Sequence, residues 1–597
     1  MKRIRYGRAA ALSLLLGGTM ATALAQLSYV ESSAGLIPPT MESGKTELEF
    51  ADVNNDGNVD LLSIGDHGSP YVNTDQHGVM VWFGDGQGNW SVFMSGDFGY
   101  GGIAVGDVNN DGLLDVGYGM HHNYSGVPFG DQLIEAALGD GTGRNWTPWD
   151  SGLATNGETW GMFGTDFADF DSDGWLDLVS NSFGGSAGVH VYLNQRTGYW
   201  VQSFGFVGGL SKNEVTTGDI DNDGDIDFVV GHQYGSVYLN DGTGRFVLTD
   251  RNLPPGESQG RLGVALGDVD NDGAQEFSFV NATGGVGVWK WQAAADSWVS
   301  LSAGLPSTGV QATWLCDMDC DGYVDLVGFG NGNGVVWRGD GQGNWTQTAT
   351  FSTPSPGTGR TLRAGGDVDH NGFPDVALVA VSGTRNYVRC FREASVADSL
   401  RIMPGFPRGG ERLIAGSVRF IDWWSEAQNA ADTRVRLELS VHGAGGPWQT
   451  IADSLRNSGR YQWTVPDCPS AQCHIRYTVF GPSGSVSCVT TRPFTIIGRT
   501  GITRPDGFGP VPEADGRLRL CPNPVTGQLV SAIGSALTGT VQVRMYDATG
   551  RCVLARLLKA ARTGTLDLDL RSVTPGVYVL LFDTGRHSTV QTVVKVH

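Results

Sequence analysis

Short apolar runs separated by turn residues recur from residue 26 to residue 395. A run such as 263–266 leads into an acidic loop, and a second run follows, as in Phe228-Val229-Val230. A third comes after a further loop, at 189–193 or Val335-Val336-Trp337. A turn rich in Gly and Asp, such as Asp241-Gly242-Thr243-Gly244, then introduces a fourth run with an early aromatic residue. Runs this short, bounded by Gly and Asp, fit strands and not helices.

The acidic loop gives the repeat its period. The pattern D-x-[DN]-x-[DN]-G-x-x-[DE] begins at Asp52, Asp107, Asp169, Asp219, Asp268, Asp317 and Asp367. Four short strands per unit of about fifty residues is the arithmetic of a β-propeller blade, and seven loops predict seven blades. The seventh unit lacks a fourth strand of its own. The missing text stands at the other end: Ser28-Tyr29-Val30, then Ser33-Ala34-Gly35-Leu36, matches Ser297-Trp298-Val299, then Ser302-Ala303-Gly304-Leu305. The N-terminal segment is therefore expected to complete the last blade and remove two free sheet edges.

Beyond residue 395 the pattern changes. Alternation such as Arg434-Val435-Arg436-Leu437-Glu438-Leu439 predicts an immunoglobulin-like β-sandwich over 396–498. It has no acidic loops, so we expect a spacer that melts independently of any metal. A linker rich in Gly and Pro spans 499–516, and a last β-sandwich covers 517–597. The expected architecture is all-β: a seven-bladed propeller at 26–395 followed by two sandwich domains.

The chain has 597 residues, 89 of them Gly, and a formal net charge of −22. That acidity excludes nucleic acid as a partner, because a duplex requires a basic surface. The first 25 residues read as an export signal: Lys2, Arg3, Arg5 and Arg8 precede an apolar stretch, and Ala23-Leu24-Ala25 offers a small-x-small cleavage site. No later segment is apolar for long enough to span a membrane. Eight cysteines suit an exported protein in which some pair, with a local bridge expected among Cys468, Cys473 and Cys488.

Each loop offers a hard cation a set of oxygens. In Asp169-x-Asp171-x-Asp173-Gly174-x-x-Asp177, positions 1, 3, 5 and 9 supply side-chain oxygens and Gly at position 6 permits the bend. The equivalent sets are Asp52, Asn54, Asp56, Asp60; Asp107, Asn109, Asp111, Asp115; and Asp219, Asp221, Asp223, Asp227. Asp268, Asp270, Asp272, Glu276; Asp317, Asp319, Asp321, Asp325; and Asp367, Asp369, Asn371, Asp375 complete them. We expect structural Ca2+ at up to seven sites. Strands flank the loops and the distant glutamate of an EF-hand is missing, so these are not EF-hands.

The loops and their spacing resemble FG-GAP/VCBS repeats, as found in integrin α-chain propellers and bacterial surface proteins. The resemblance covers 26–395 and implies calcium in the hairpins of one face. In the last domain, Pro522-Asn523-Pro524, the stretch from Met545 to Arg551, Leu566-Asp567-Leu568 and Pro575-Gly576-Val577-Tyr578 resemble the C-terminal sorting domain of type IX secretion substrates. That resemblance implies a Gram-negative host, the type IX secretion machinery as a partner, and a secreted or outer-surface location. Cys521 departs from the residue usual before Pro-Asn-Pro.

Catalytic motifs fail on context. Gly184-x-Ser186-x-Gly188 and Gly256-x-Ser258-x-Gly260 do not sit between a strand and a helix, as a nucleophile elbow requires. The blade ends opposite the acidic loops carry Tyr100, His121, His122, Trp160, His232 and Tyr234, which we expect to meet a ligand. The reading is a non-enzymatic surface protein for adhesion, glycan binding or protein–protein interaction. The alternative is an extracellular polysaccharide-degrading enzyme that uses the same face.

Overall fold

The structure is a computed structural model. It describes residues 27–36, 46–65, 78–121, 130–182, 188–206, 212–232, 237–254, 263–355, 361–382 and 385–498. In the C-terminal part it describes 519–521, 528–532, 540–546, 551–559, 565–583 and 588–595, and positions 97, 100, 159, 160, 429, 483, 572 and 575 are left out of these ranges. The signal-like start and the linker lie outside the described residues. The chain divides into two compact units, 1–499 and 500–597. Among the described residues, helix is confined to two three-residue turns.

The first unit begins with seven four-stranded antiparallel sheets. The first sheet holds Glu49–Ala51, Asp60–Ile64, Val79–Gly84 and Trp90–Ser95 in that order. Five more repeat this order, the sixth ending at Trp345–Ser352. The seventh contains Leu362–Ala364, Val376–Ser382 and Arg385–Glu393, and its fourth strand is Tyr29–Glu31 from the start of the chain.

Each sheet packs on the next through its own apolar cluster. Val81, Phe98 and Tyr118 join the first sheet to the second, and Phe170, Val191 and Phe228 join the third to the fourth. Leu61, Trp82, Val379 and Val388 join the seventh back to the first, so the sheets form a closed series. The second strands Asp60–Ile64 and Glu276–Val280 are buried at every position, Ser63 and Ser278 included.

Two further devices tie neighbours together. Glu47 is buried, and its carboxylate accepts N–H bonds from Ile103 (3.1 Å), Thr165 (3.0 Å) and Val215 (3.4 Å), which spans four sheets. The fourth-strand tryptophans donate backwards: Trp90 Nε1 to Ser32 O (2.8 Å) and Trp345 Nε1 to Leu301 O (2.7 Å). Gly35, at φ 94°, lies against the Trp90 carbonyl, where a Cβ would clash with that oxygen. This is the physical content of the repeated Ser-Ala-Gly-Leu text.

Residues 401–497 form two sheets around a second core of Trp423, Leu437, Ile475, Tyr477 and Phe494. The strand Arg434–Ser440 buries Val435, Leu437 and Leu439 and turns Arg434, Arg436 and Glu438 outward, as the alternation predicts. The expected cysteine bridge is absent. Cys316, Cys320, Cys390, Cys468, Cys473 and Cys488 are all free, with Cys473 buried in the core and Cys468 and Cys488 packed at its margin.

The second unit holds a three-stranded sheet, with Gln528–Ala532 between Arg519–Cys521 and Thr565–Asp569. A four-stranded sheet has Thr540–Tyr546 and Gly576–Asp583 at its centre. Val543, Met545, Leu568 and Leu580 are buried. Pro522-Asn523-Pro524 lies outside the described residues.

Candidate metal centres

Each acidic loop joins the first and second strands of its sheet, and its shape comes from two left-handed residues. Position 4 has positive φ in all seven loops, from 54° at Ser172 to 60° at Asn271, and position 6 is Gly at φ 86° to 101°. Asn fills position 4 in four loops, where its short polar side chain tolerates this region.

The hydrogen bonds repeat as strictly as the dihedrals. At position 1, Asp52 Oδ1 accepts from Asp56 N (3.0 Å) and Oδ2 from Gly57 N (2.9 Å), and the six equivalents do the same. At position 9, Asp60 accepts from Val53 N (3.1 Å) inside the loop and from Gly84 N (3.0 Å) at the end of the third strand. Its second bond ties the loop to the sheet. Only the fifth loop departs: Glu276 Oε2 accepts from Val269 N, while Oε1 turns toward Lys290 Nζ at 3.4 Å.

These bonds hold carboxylates against one another. Oxygens of Asp169, Asp171 and Asp177 lie within 4.8 Å of one another, as do those of Asp219, Asp221 and Asp227; of Asp268, Asp270 and Glu276; and of Asp317, Asp319 and Asp325. Burial pushes Asp52 and Asp317 up to about 6, and Asp115, Asp169 and Asp268 up to about 7. Asp177 and Asp227 are raised further, first by burial and then by their neighbouring carboxylates. Such clusters are stable when ionised only if a cation is present.

The third, fourth and fifth loops meet a direct criterion for a metal ion: Asp173 Oδ1, Asp221 Oδ1, Asp270 Oδ1 and Glu276 Oε1 are buried with no hydrogen-bond partner. In the third and fourth loops positions 1, 3, 5 and 9 would hold a hard divalent ion, which would offset two of the four negative charges. The fifth to seventh loops contain basic side chains. Lys290 Nζ lies 2.5 Å from Asp270 Oδ2 and 2.6 Å from Asp272 Oδ2. Arg338 bridges Asp319 (3.0 Å) and Asp321, and Arg392 bonds Asp369 at 2.6 Å.

The acidic loops are also a docking surface within the first unit, and the domain at 396–498 lies against all seven. Arg456 Cβ stands 3.7 Å from where a side chain would begin at Gly57. Gln462 exchanges bonds with Asp107 N (3.0 Å) and Asp107 O (2.9 Å). Val418 N donates to Asp169 Oδ2 (2.8 Å), Arg412 N to Asn222 Oδ1 (2.9 Å) and Ala427 N to His370 O (2.9 Å). Gly410 packs on Gly273, and Arg408 Nη2 meets Asp317 Oδ2 at 2.9 Å. The expectation of a spacer is corrected: apolar and polar groups from several of its strands are spent on the loops.

The residues expected to meet a ligand fare differently. Tyr100, His122, Trp160 and Tyr234 lie outside the described residues, as does the side chain of His232, whose backbone ends the strand Asp227–His232. His121 is buried, its ring stacked on Phe163 at 5.7 Å, and so does not offer an exposed face. Sequence reasoning missed Lys290, Arg338 and Arg392, although each stands at the same register near the end of a third strand. It also missed a third kind of acidic group, Asp131, Glu135 and Asp150, in which burial and Asp150 push Glu135 up to about 10.

Residues 52–118, 169–230, 219–277 and 317–378 match the FG-GAP-like repeat, and these segments contain all seven acidic loops. Residues 519–596 match the secretion system C-terminal sorting domain. The chain matches no curated protein. It therefore carries FG-GAP-like repeats across its seven sheets, and its end points to type IX secretion.

Proposed function

We propose that this secreted repeat protein is a calcium-binding, seven-bladed β-propeller with an immunoglobulin-like cap, and that it binds an extracellular glycan or protein through the face opposite the calcium loops. One observation carries the choice of face: the domain at 396–498 occupies the acidic-loop side at every sheet, so a partner has the other side. The sequence between the strand ends on that side contains Tyr100, His122, Trp160 and Tyr234. Aromatic rings and imidazoles there stack on sugars or anchor a protein.

Calcium in this reading is structural. An ion that binds only the folded chain adds about 2.7 kcal/mol per site at a hundredfold excess over its Kd. Chelation should lower the melting temperature steeply and added calcium should restore it, with magnesium less effective because it demands tighter octahedral geometry. Melting indifferent to chelator would remove calcium from the proposal.

The binding claim is tested with the secreted form on a glycan array, in calcium, beside Trp160→Ala and His122→Ala. Binding that survives both substitutions would move the site elsewhere. Release of reducing ends from a bound polysaccharide, lost in the same variants, would favour the hydrolytic alternative.

A further inference from the structure

We infer that the fifth, sixth and seventh loops carry a built-in counter-ion, a basic side chain of the third strand, and that divalent ions are held only by the first four loops. The inference rests on the reading that the loops bind calcium, and divides them into two classes.

The strand registers identify the deciding position. In every sheet an aromatic residue stands first or second in the fourth strand and pairs with a residue near the end of the third: Trp90 with Gly84, Trp200 with Asn194, Trp298 with Trp291, Trp345 with Gly339, Tyr29 with Glu393. The residue just before that partner is Phe83, Leu138, Leu193 and Leu239 in the first four sheets. In the last three it is Lys290, Arg338 and Arg392.

One position thus holds four apolar and three cationic side chains, and each cation reaches its own loop. Lys290 touches positions 3, 5 and 9 of the fifth loop, the oxygens a metal would need. Asp270 Oδ1 and Glu276 Oε1 lack hydrogen bonds, yet the ammonium stands beside them. Arg338 covers positions 3 and 5 of the sixth loop while Arg408 takes position 1. In the seventh, Arg392 holds position 3.

A cation held by the same carboxylates repels a divalent ion and occupies its ligands, so the two are alternatives. Arg196 in the third loop is different. It is half exposed, lies in the turn beyond the strand and touches Asp173 only, leaving Asp169, Asp171 and Asp177 clustered. The loops of the last three sheets, which include the seam with Tyr29–Glu31, would then be partly neutralised at any calcium concentration.

The test counts calcium bound per chain on the full secreted protein, by elemental analysis after equilibration in calcium buffer. The expected count is four, rising to five in Lys290→Leu and falling to three in Leu239→Lys, with circular dichroism confirming the folded state of each. Seven ions in the unaltered protein would overturn the inference, as would a count unmoved by both substitutions. A count of zero would instead refute calcium binding itself, and so separates the two claims.

Discussion

Arg389 donates a hydrogen bond to Glu31 at 2.8 Å, although the two residues lie 358 positions apart. They sit on the strands that close the series of sheets, where Tyr29 pairs with Glu393 and Glu31 with Phe391. Leu27 and Tyr29 pack beneath this seam against Phe351 and Phe391.

Deleting residues 27–36 should therefore leave Arg385–Glu393 as a free edge, a template for pairing between chains. We expect the truncated protein to elute as oligomers by size-exclusion chromatography and to melt at a lower temperature. A monomer of unchanged stability would contradict the closure.

Calcium should hold the cap as well as the loops. Val418 N donates to Asp169 Oδ2, itself a position-1 residue of the third loop. We expect 396–498 and the seven sheets to unfold in one calorimetric transition that shifts with calcium. Two transitions, one insensitive to chelator, would mean that the cap is only loosely apposed. Arg408→Ala leaves Asp317 buried without its partner and should cost about 3 kcal/mol, because an unpaired buried charge is expensive.

The centre of the sheets should respond to pH. Burial raises Glu214 to about 7, opposed in part by hydrogen bonds from Gly263 N and Val264 N. A carboxyl with a raised folded pKa stabilises the fold below its unfolded value, 4.5, and that stability is lost as pH rises through about 7. Glu214→Gln mimics the neutral form. It should match the parent at pH 5 and exceed it by about 2–3 kcal/mol at pH 8, measured by urea unfolding in saturating calcium. Equal stability at both pH values would place the Glu214 carboxyl in a more solvated setting.

Much of this protein was legible because its information is local. A loop of nine residues holds its own Gly at position 6, its own left-handed position 4 and its own carboxylates, so Asp169 and Asp177 converge whatever surrounds them. The completion of the seventh sheet was legible for a related reason: its fourth strand, Tyr29–Glu31, was written at the N-terminus in the same text as the others.

What depended on distance was not legible. Lys290 on a strand reads as a solvated side chain until the register sets it over its own loop. His121 reads as an exposed ligand contact until Phe163 is folded against it. Cys468, Cys473 and Cys488 suggested a bridge, yet strand packing leaves all three as thiols. The sequence by itself determined the seven acidic loops, the strand order and the seam, since each rests on backbone preferences and ligand spacing within one repeat. Only the tertiary structure decided that the domain at 396–498 lies across the loops and that three loops hold a cation of their own. Both follow from surfaces and side chains brought within a few ångströms by folding, such as Arg408 and Asp317, and no local pattern encodes such a meeting.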